Sequence, residues 1–443
     1  MHTLCIFTQK LSGVFCWFLS GVSGYRRKID FAHVLTDERY LKELKEVFLF
    51  MSGIIAFKRE EIVESILICM AKHISGLFRR SDQKVKSYMA LACECVFECD
   101  YSNLVKCKWK DEERSLTCFE YTFGTHLDMS SLTEVDLSSA KIRNVGAAVI
   151  SVVLEKNSSL THLDLSFNVF DGVVFSLSKA LKANSSLTFL NLEGNSIGDS
   201  GASSLSNALK AKSSLTDLNL SDNRIGDAGA SFLSQALKAN SSLTNLNLSI
   251  NSIGDTGASS LSEALKANSS LTNLNLSLTS IGDAGASSLS KALKANSSLT
   301  NLNLSFCKIG DAGASSISKA LKENSSLTGL NLLDIRIGDA GASSLSDALT
   351  ANSSLTDLNL GLNSIGNAGA SFLSKALTAN SSLTALDLSD NRIGDVGASC
   401  LSQALKANSS LNKLDLTDNS VSAVGAASFN EASKMNKKVD VRF

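Results

Sequence analysis

The residues of this chain best suited to chemistry are its cysteines. Cys93, Cys95 and Cys99 fall close together, and with Cys5, Cys16, Cys69, Cys107 and Cys118 they put eight of the ten cysteines ahead of residue 119. Thiolates gathered this way hold a metal ion or a disulfide framework when their spacing brings them to one point. Here they lie in a helical pattern, in which residues two apart diverge around the helix. No histidine or second cysteine pair completes a zinc spacing. Buried free thiols in a reducing compartment are the simpler expectation.

The other chemical groups are equally dispersed. His2, His33, His73, His126 and His162 are scattered, and none shares a motif with a nucleophile and an acid. No Gly-x-x-x-x-Gly-Lys-[Ser/Thr] loop occurs; the nearest glycine cluster, Gly21-Val-Ser-Gly24, has neither its spacing nor its strand context. No catalytic residue, cofactor or metal is therefore expected. A net charge of −1 argues against nucleic acid as an electrostatic partner. The apolar run from Leu11 to Val22 is too short to span a membrane and lacks a clean cleavage site after it.

What the chain does have is a unit of 28 residues. Its first leucine falls at 132, 160, 187, 215, 243, 271, 299, 327, 355, 383 and 411, with one interval of 27 where the copy containing Phe170-Asp171-Gly172 has lost a residue. A fixed period in this range is the signature of a solenoid, in which each unit buries its apolar face against its neighbours. Numbered from that leucine, positions 1, 4 and 6 are apolar and 3 and 5 polar, the alternation of a short strand. Positions 16, 19, 22 and 23, Ala258, Leu261, Ala264 and Leu265 in one copy, recur at helical spacing. Asp255 and its equivalents Asp199, Asp227, Asp283, Asp311, Asp339 and Asp395 are expected to accept hydrogen bonds from the first turn of their helices. Asn240, Asn268, Asn296, Asn324, Asn352, Asn380 and Asn408 are expected to end the helices in the left-handed conformation.

Strands stack about 4.8 Å apart and helices need about 8–10 Å. The expected fold is therefore α/β: a horseshoe solenoid with parallel strands inside and helices outside, over residues 129–443, with about eleven repeats. Val421, Val424, Ala426 and Phe429, the lysines Lys434, Lys437 and Lys438, and a short strand at 439–443 are expected to cap it. Residues 1–128 are expected to form a small all-α region, with helices over 36–56, 60–78, 81–98 and 110–122.

The string Leu-x-x-Leu-x-Leu-x-x-Asn-x-Ile-Gly followed by an amphipathic helix resembles the ribonuclease-inhibitor class of leucine-rich repeats. A second resemblance covers the N-terminal third. The segments Glu46 to Ile55 and Ala90 to Cys99, followed by Leu132-Thr-Glu-Val-Asp-Leu-Ser138, resemble the helical region that precedes the repeats in NOD-like receptors. That resemblance implies a sensing or regulatory role in innate immunity. The nucleotide-binding loop of those receptors is missing, so nucleotide-driven assembly does not carry over. The same repeats serve GTPase-activating proteins of the Ran type, which carry an acidic tail; this chain instead ends in Lys434, Lys437, Lys438 and Arg442.

Nearly identical repeats act as controls for one another. Position 5 is almost constant, from Asn191 through Asn359, and discriminates no partner. Position 8 changes: Asp222, Ile250, Leu278, Phe306, Asp334, Leu362, Asp390 and Asp418. Position 9, usually an inward Asn, becomes Thr279, Cys307 and Ile335 in the same region. Ile250, Leu278, Phe306 and Leu362, rimmed by Asp222, Asp334, Arg336 and Asp390, are the expected contact for another protein on the concave face or its edge. The alternative is that these side chains fold back on the turn before each helix. The nine Asn-Ser-Ser sequons admit two readings as well. Glycosylation would make the chain an extracellular ectodomain, whereas turn chemistry accounts for them in a cytoplasmic protein, the expected location.

Overall fold

The computed structural model describes residues 71–72 and 125–443, apart from 129, 131, 143, 171–173, 212–213 and 436–438. The N-terminal helices, and the segments 46–55 and 90–99, lie outside the described residues, except that 71 and 72 are helical. The chain divides into two compact units, residues 1–133 with 139–160 and residues 134–138 with 161–443. In the first unit, α1 (Asn144–Lys156) is an apolar helix with Val149, Val152 and Leu154 buried.

In the second unit the period-2 pattern forms the strands β1 (Glu134–Asp136), β2 (His162–Asp164), β3 (Phe189–Asn191), β4 (Asp217–Asn219), β5 (Asn245–Asn247), β6 (Asn273–Asn275), β7 (Asn301–Asn303), β8 (Gly329–Asn331), β9 (Asp357–Asn359), β10 (Ala385–Asp387), β11 (Lys413–Asp415) and β12 (Asp440–Arg442). They make one twelve-stranded sheet in chain order, every pair parallel. The helices between them are α2 (Phe175–Ala183), α3 (Gly198–Lys210), α4 (Asp227–Leu237), α5 (Asp255–Leu265), α6 (Asp283–Leu293), α7 (Asp311–Leu321), α8 (Asp339–Ala351), α9 (Asn367–Ala379), α10 (Asp395–Ala407) and α11 (Ala423–Met435). This is the expected leucine-rich-repeat solenoid.

Register follows from burial. Position 4 of each strand lies beside position 4 of the next, Leu218 by Leu246 by Leu274 by Leu302, and all four leucines are buried. A slip of one residue would expose this row. Each helix closes the layer from its own apolar stripe; α5 buries Gly257, Ala258, Leu261, Ser262, Ala264 and Leu265.

Both expected helix ends are corrected. Asp255 does not cap its own helix: it is the first residue of α5, and the N-cap residue Gly254 carries no side-chain bond. Its Oδ1 instead accepts from the N–H groups of Gly282 at 2.7 Å and Gly285 at 2.9 Å, at the start of α6. Asp199, Asp227, Asp283, Asp311 and Asp339 do the same for the helix of the following repeat. The physical reason is reach: the stacked helix starts lie side by side, and a carboxylate at one of them meets two free N–H groups of its neighbour. At the other end, Asn184, Asn352, Asn380 and Asn408 are extended, with φ of −75° to −84°, and among the described residues no Asn has a positive φ. Their side chains hold the turn instead. Asn268 Oδ1 accepts from Ser270 and Leu271, while its Nδ2 donates to Leu237 and Asn240 of the preceding repeat.

The C-terminal strand forms as expected and pairs with β11. Phe429 is buried and meets the Phe443 ring edge-on, with centroids 5.2 Å apart. Val424, expected within the cap's apolar stripe, is 76% exposed.

Candidate partner-binding surface

Position 8 follows the strand and turns the chain. Its N–H continues the parallel ladder, Ile250 to Ser277 O at 3.0 Å and Leu278 to Ser305 O at 2.9 Å. The backbone then enters the left-handed region, with φ of 52° at Asp222, 55° at Ile250 and Leu278, 59° at Phe306, 49° at Asp334, 53° at Leu362 and 50° at Asp390. This turn sends position 8 outward and position 9 inward.

Asp tolerates such a φ, whereas a β-branched residue there is an outlier. The left-handed backbone costs an L-residue about 1–2 kcal/mol. Ile250, Leu278, Phe306 and Leu362 accept that cost while remaining 47%, 49%, 39% and 42% exposed. Asp222, Asp334, Arg336 and Asp390 are exposed around the same edge. Position 10 changes as well: Asp222, Asp334 and Asp390 are followed by Arg224, Arg336 and Arg392, Asp418 by Ser420, and Ile250, Leu278, Phe306 and Leu362 by Ser252, Ser280, Lys308 and Ser364. From Ile250 to Phe306 the apolar row runs two strand spacings, about 10 Å.

Beneath this edge runs an asparagine ladder at position 9. Asn223 Nδ2 donates to Leu192 O at 2.8 Å, and its Oδ1 accepts from Asn195 and Ile197 of the preceding repeat. Thr279, Cys307 and Ile335 interrupt it and are buried as expected. Thr279 Oγ1 bonds Leu276 O and lies 3.3 Å from Cys307 Sγ. Burial raises the Cys307 thiol pKa.

Two features escaped the sequence argument. Phe167 is the position-8 residue of the shortened copy, 54% exposed with φ 54°; alignment on the repeat leucines would have found it. Position 3 also varies across the strand face, where positions 3 to 5 of β4 to β10, with Phe189 of β3 and Lys413 of β11, line a groove of about 650 Å³. The constant asparagines at position 5 have a structural task there: Asn219, Asn247, Asn275 and Asn303 accept the N–H of position 7 and hold the strand end. Among the described residues no group of His, Cys, Asp or Glu could hold a metal ion. No helix there is long and apolar enough to cross a membrane.

These features define an α/β repeat scaffold. The chain belongs to the leucine-rich-repeat family, whose profile matches residues 126–151, 156–173, 183–206, 211–234, 239–262, 267–290, 295–318, 351–374, 379–402 and 407–429. Such repeats are protein-interaction scaffolds. No curated protein matches the sequence. Among solved structures, the chain is similar to the leiomodin-1 actin-binding site 2, 25% identical over 28% of this chain and 75% of that one, with a TM-score of 0.26. An internalin (inlF) of Listeria monocytogenes is 19% identical over 72% of this chain and 88% of its own, TM-score 0.42. A chain of the mouse RP105/MD-1 complex is 20% identical over 73% of this chain and 51% of its own, TM-score 0.45.

Proposed function

We propose that this protein is a non-catalytic cytoplasmic scaffold or sensor, of the ribonuclease-inhibitor class of repeats, that binds another protein along the edge formed by Ile250, Leu278, Phe306 and Leu362. Asp222, Asp334, Arg336 and Asp390 form the polar rim. The observation that carries this reading is that three successive repeats hold large apolar side chains exposed on a left-handed backbone that neighbouring repeats give to Asp. Apolar residues kept exposed at a backbone cost point to use of that surface, and a partner covering them would remove the apolar area from water. A role in innate immune sensing or its regulation rests on the resemblance of residues 46–55, 90–99 and 132–138 to NOD-like receptors.

The cytoplasmic location is supported by the sequons. Asn240, Asn268, Asn296, Asn324, Asn352, Asn380 and Asn408 are buried, and each Nδ2 donates to a main-chain carbonyl of the preceding repeat. A glycan on that nitrogen would replace a buried donor with a bulky sugar, so this fold suits a compartment without N-glycosylation.

The test is affinity capture from cytosol with the intact chain beside the double variant Leu278→Asp, Phe306→Asp, both shown to be folded by circular dichroism. Specific partners that disappear with the variant support the edge as the recognition surface. Retention of the same partners overturns it.

A further inference from the structure

The strand face holds a hydrogen-bond ladder that stops one rung short. Asp217, Asn245, Asn273 and Asn301 occupy position 3 of β4 to β7 in register. Asn245 Nδ2 donates to Asp217 Oδ1, Asn273 Nδ2 to Asn245 Oδ1, and Asn301 Nδ2 to Asn273 Oδ1. The direction is chemically determined, because a carboxylate only accepts. Asp217 therefore makes Asn245 turn its NH2 back, and every amide after it points its oxygen forward. The second N–H of each amide is engaged by the threonine before it, Thr244, Thr272 or Thr300.

The next rung has no side chain. Gly329 pairs with Asn301 on one side and Asp357 on the other, and Asn301 Oδ1 sits 2.3 Å from where a Gly329 Cβ would lie. Asn301 Oδ1 has no donor among the described residues, and neither has the Asp357 carboxylate, which stands between Gly329 and Ala385 in register. Two exposed acceptors, one of them charged, thus flank the rung that lacks a side chain, with Asn301 Oδ1 leaning into it. All of these residues line the groove.

We infer that the gap over Gly329 is a subsite for a guanidinium group, the side chain of an arginine on a partner protein, donating to Asn301 Oδ1 and the Asp357 carboxylate. A planar cation with several N–H donors and no acceptor matches two neighbouring acceptors. A protein source is favoured over a small molecule because the groove continues past the subsite across nine strands, giving an extended partner more to contact. This subsite lies on the strand face and is independent of the position-8 edge, so either proposal can fail alone.

The probe is N-acetyl-L-arginine methylamide, titrated into the isotope-labelled full chain while the backbone amides of Gly329 and Asn331 are followed by NMR. Saturable shifts at these amides are expected. The citrulline analogue, neutral and nearly isosteric, is expected to bind roughly tenfold more weakly or worse, the ratio for one hydrogen bond to a charged group. Gly329→Asn, whose side chain would push Asn301 Oδ1 aside and occupy the rung itself, and Asp357→Asn are expected to weaken the probe by a similar factor, read at Asn331. Should Gly329→Asn fail to fold, Asp357→Asn decides. No saturable shift, equal binding of the citrulline analogue, or unchanged binding by the folded variants overturns the subsite. A short peptide with one central arginine is expected to bind more tightly than agmatine; agmatine binding as tightly as the peptide overturns the protein assignment.

Discussion

Asp283 caps a helix that is not its own: its Oδ1 accepts a hydrogen bond 2.8 Å long from the backbone N–H of Gly313, in α7 of the next repeat. The contact explains the glycine. A Cβ on Gly313 would lie 2.7 Å from that oxygen and 2.5 Å from Ile309 Cγ2, so the close approach excludes any side chain. Asp283→Ala is expected to cost about 1–2 kcal/mol, the loss of a helix cap with its charge–dipole attraction. Asp283→Asn should stay within a few tenths of a kcal/mol of the parent, by the order of typical cap exchanges. Asn367 already performs this task natively, accepting from Gly394 at 2.8 Å and Gly397 at 2.9 Å. Urea unfolding measures both; equal losses for Ala and Asn would refute the capping role.

Asn223 and Asn247 separate two kinds of asparagine. Asn223 is fully buried and serves Asn195, Ile197, Leu192 and Ser221. Asn223→Ala strands several buried backbone groups at about 1–3 kcal/mol each, so a loss of at least about 3 kcal/mol is expected. Asn247 holds only the Ser249 N–H among the described contacts, and Asn247→Ala should cost about 1 kcal/mol. Comparable urea midpoints for the two variants would contradict the ladder.

The position-8 edge makes a prediction of opposite sign. Ile250→Asn places a residue suited to left-handed backbone at φ 55° and is expected to raise stability by about 1 kcal/mol. If thermal and urea unfolding show Ile250→Asn to be less stable than the parent, the isoleucine is contributing packing and the strain argument fails.

Acid should loosen the C-terminal end. The Ser422 hydroxyl donates to Asp395 Oδ2 and its N–H to Oδ1, both at 2.7 Å, and this holds the Asp395 carboxyl below the ordinary aspartate range. A depressed folded pKa contributes stability above the unfolded value and loses it as pH falls through the folded one. Asp395→Asn is therefore expected to flatten the decline of the urea midpoint at acid pH. An unchanged slope would show that the interaction does not discriminate the charged form.

How much of this was legible beforehand differs residue by residue. Leu243, Leu246, Leu248 and Ala258 announced strand, helix and core because burial depends on spacing within one unit, and the unit recurs. The departure of Ile250, Leu278 and Phe306 from the Asp of neighbouring copies was legible for the same reason, whereas their exposure was not, because spacing alone leaves open whether such side chains fold back on the turn. Asp255 and Asn240 were correctly placed at helix ends but matched to the wrong partners, because local capping rules consider only the same helix.

The period, the strand–helix unit, the apolar layers and the identity of the variable edge were determined by the sequence alone, through local alternation repeated eleven times. Only the tertiary structure decided which repeat each cap serves, the left-handed backbone beneath Ile250, and the open rung at Gly329. Each of these depends on residues 26 to 31 positions apart brought side by side by stacking, and no periodicity within one unit encodes what its neighbour presents across the gap.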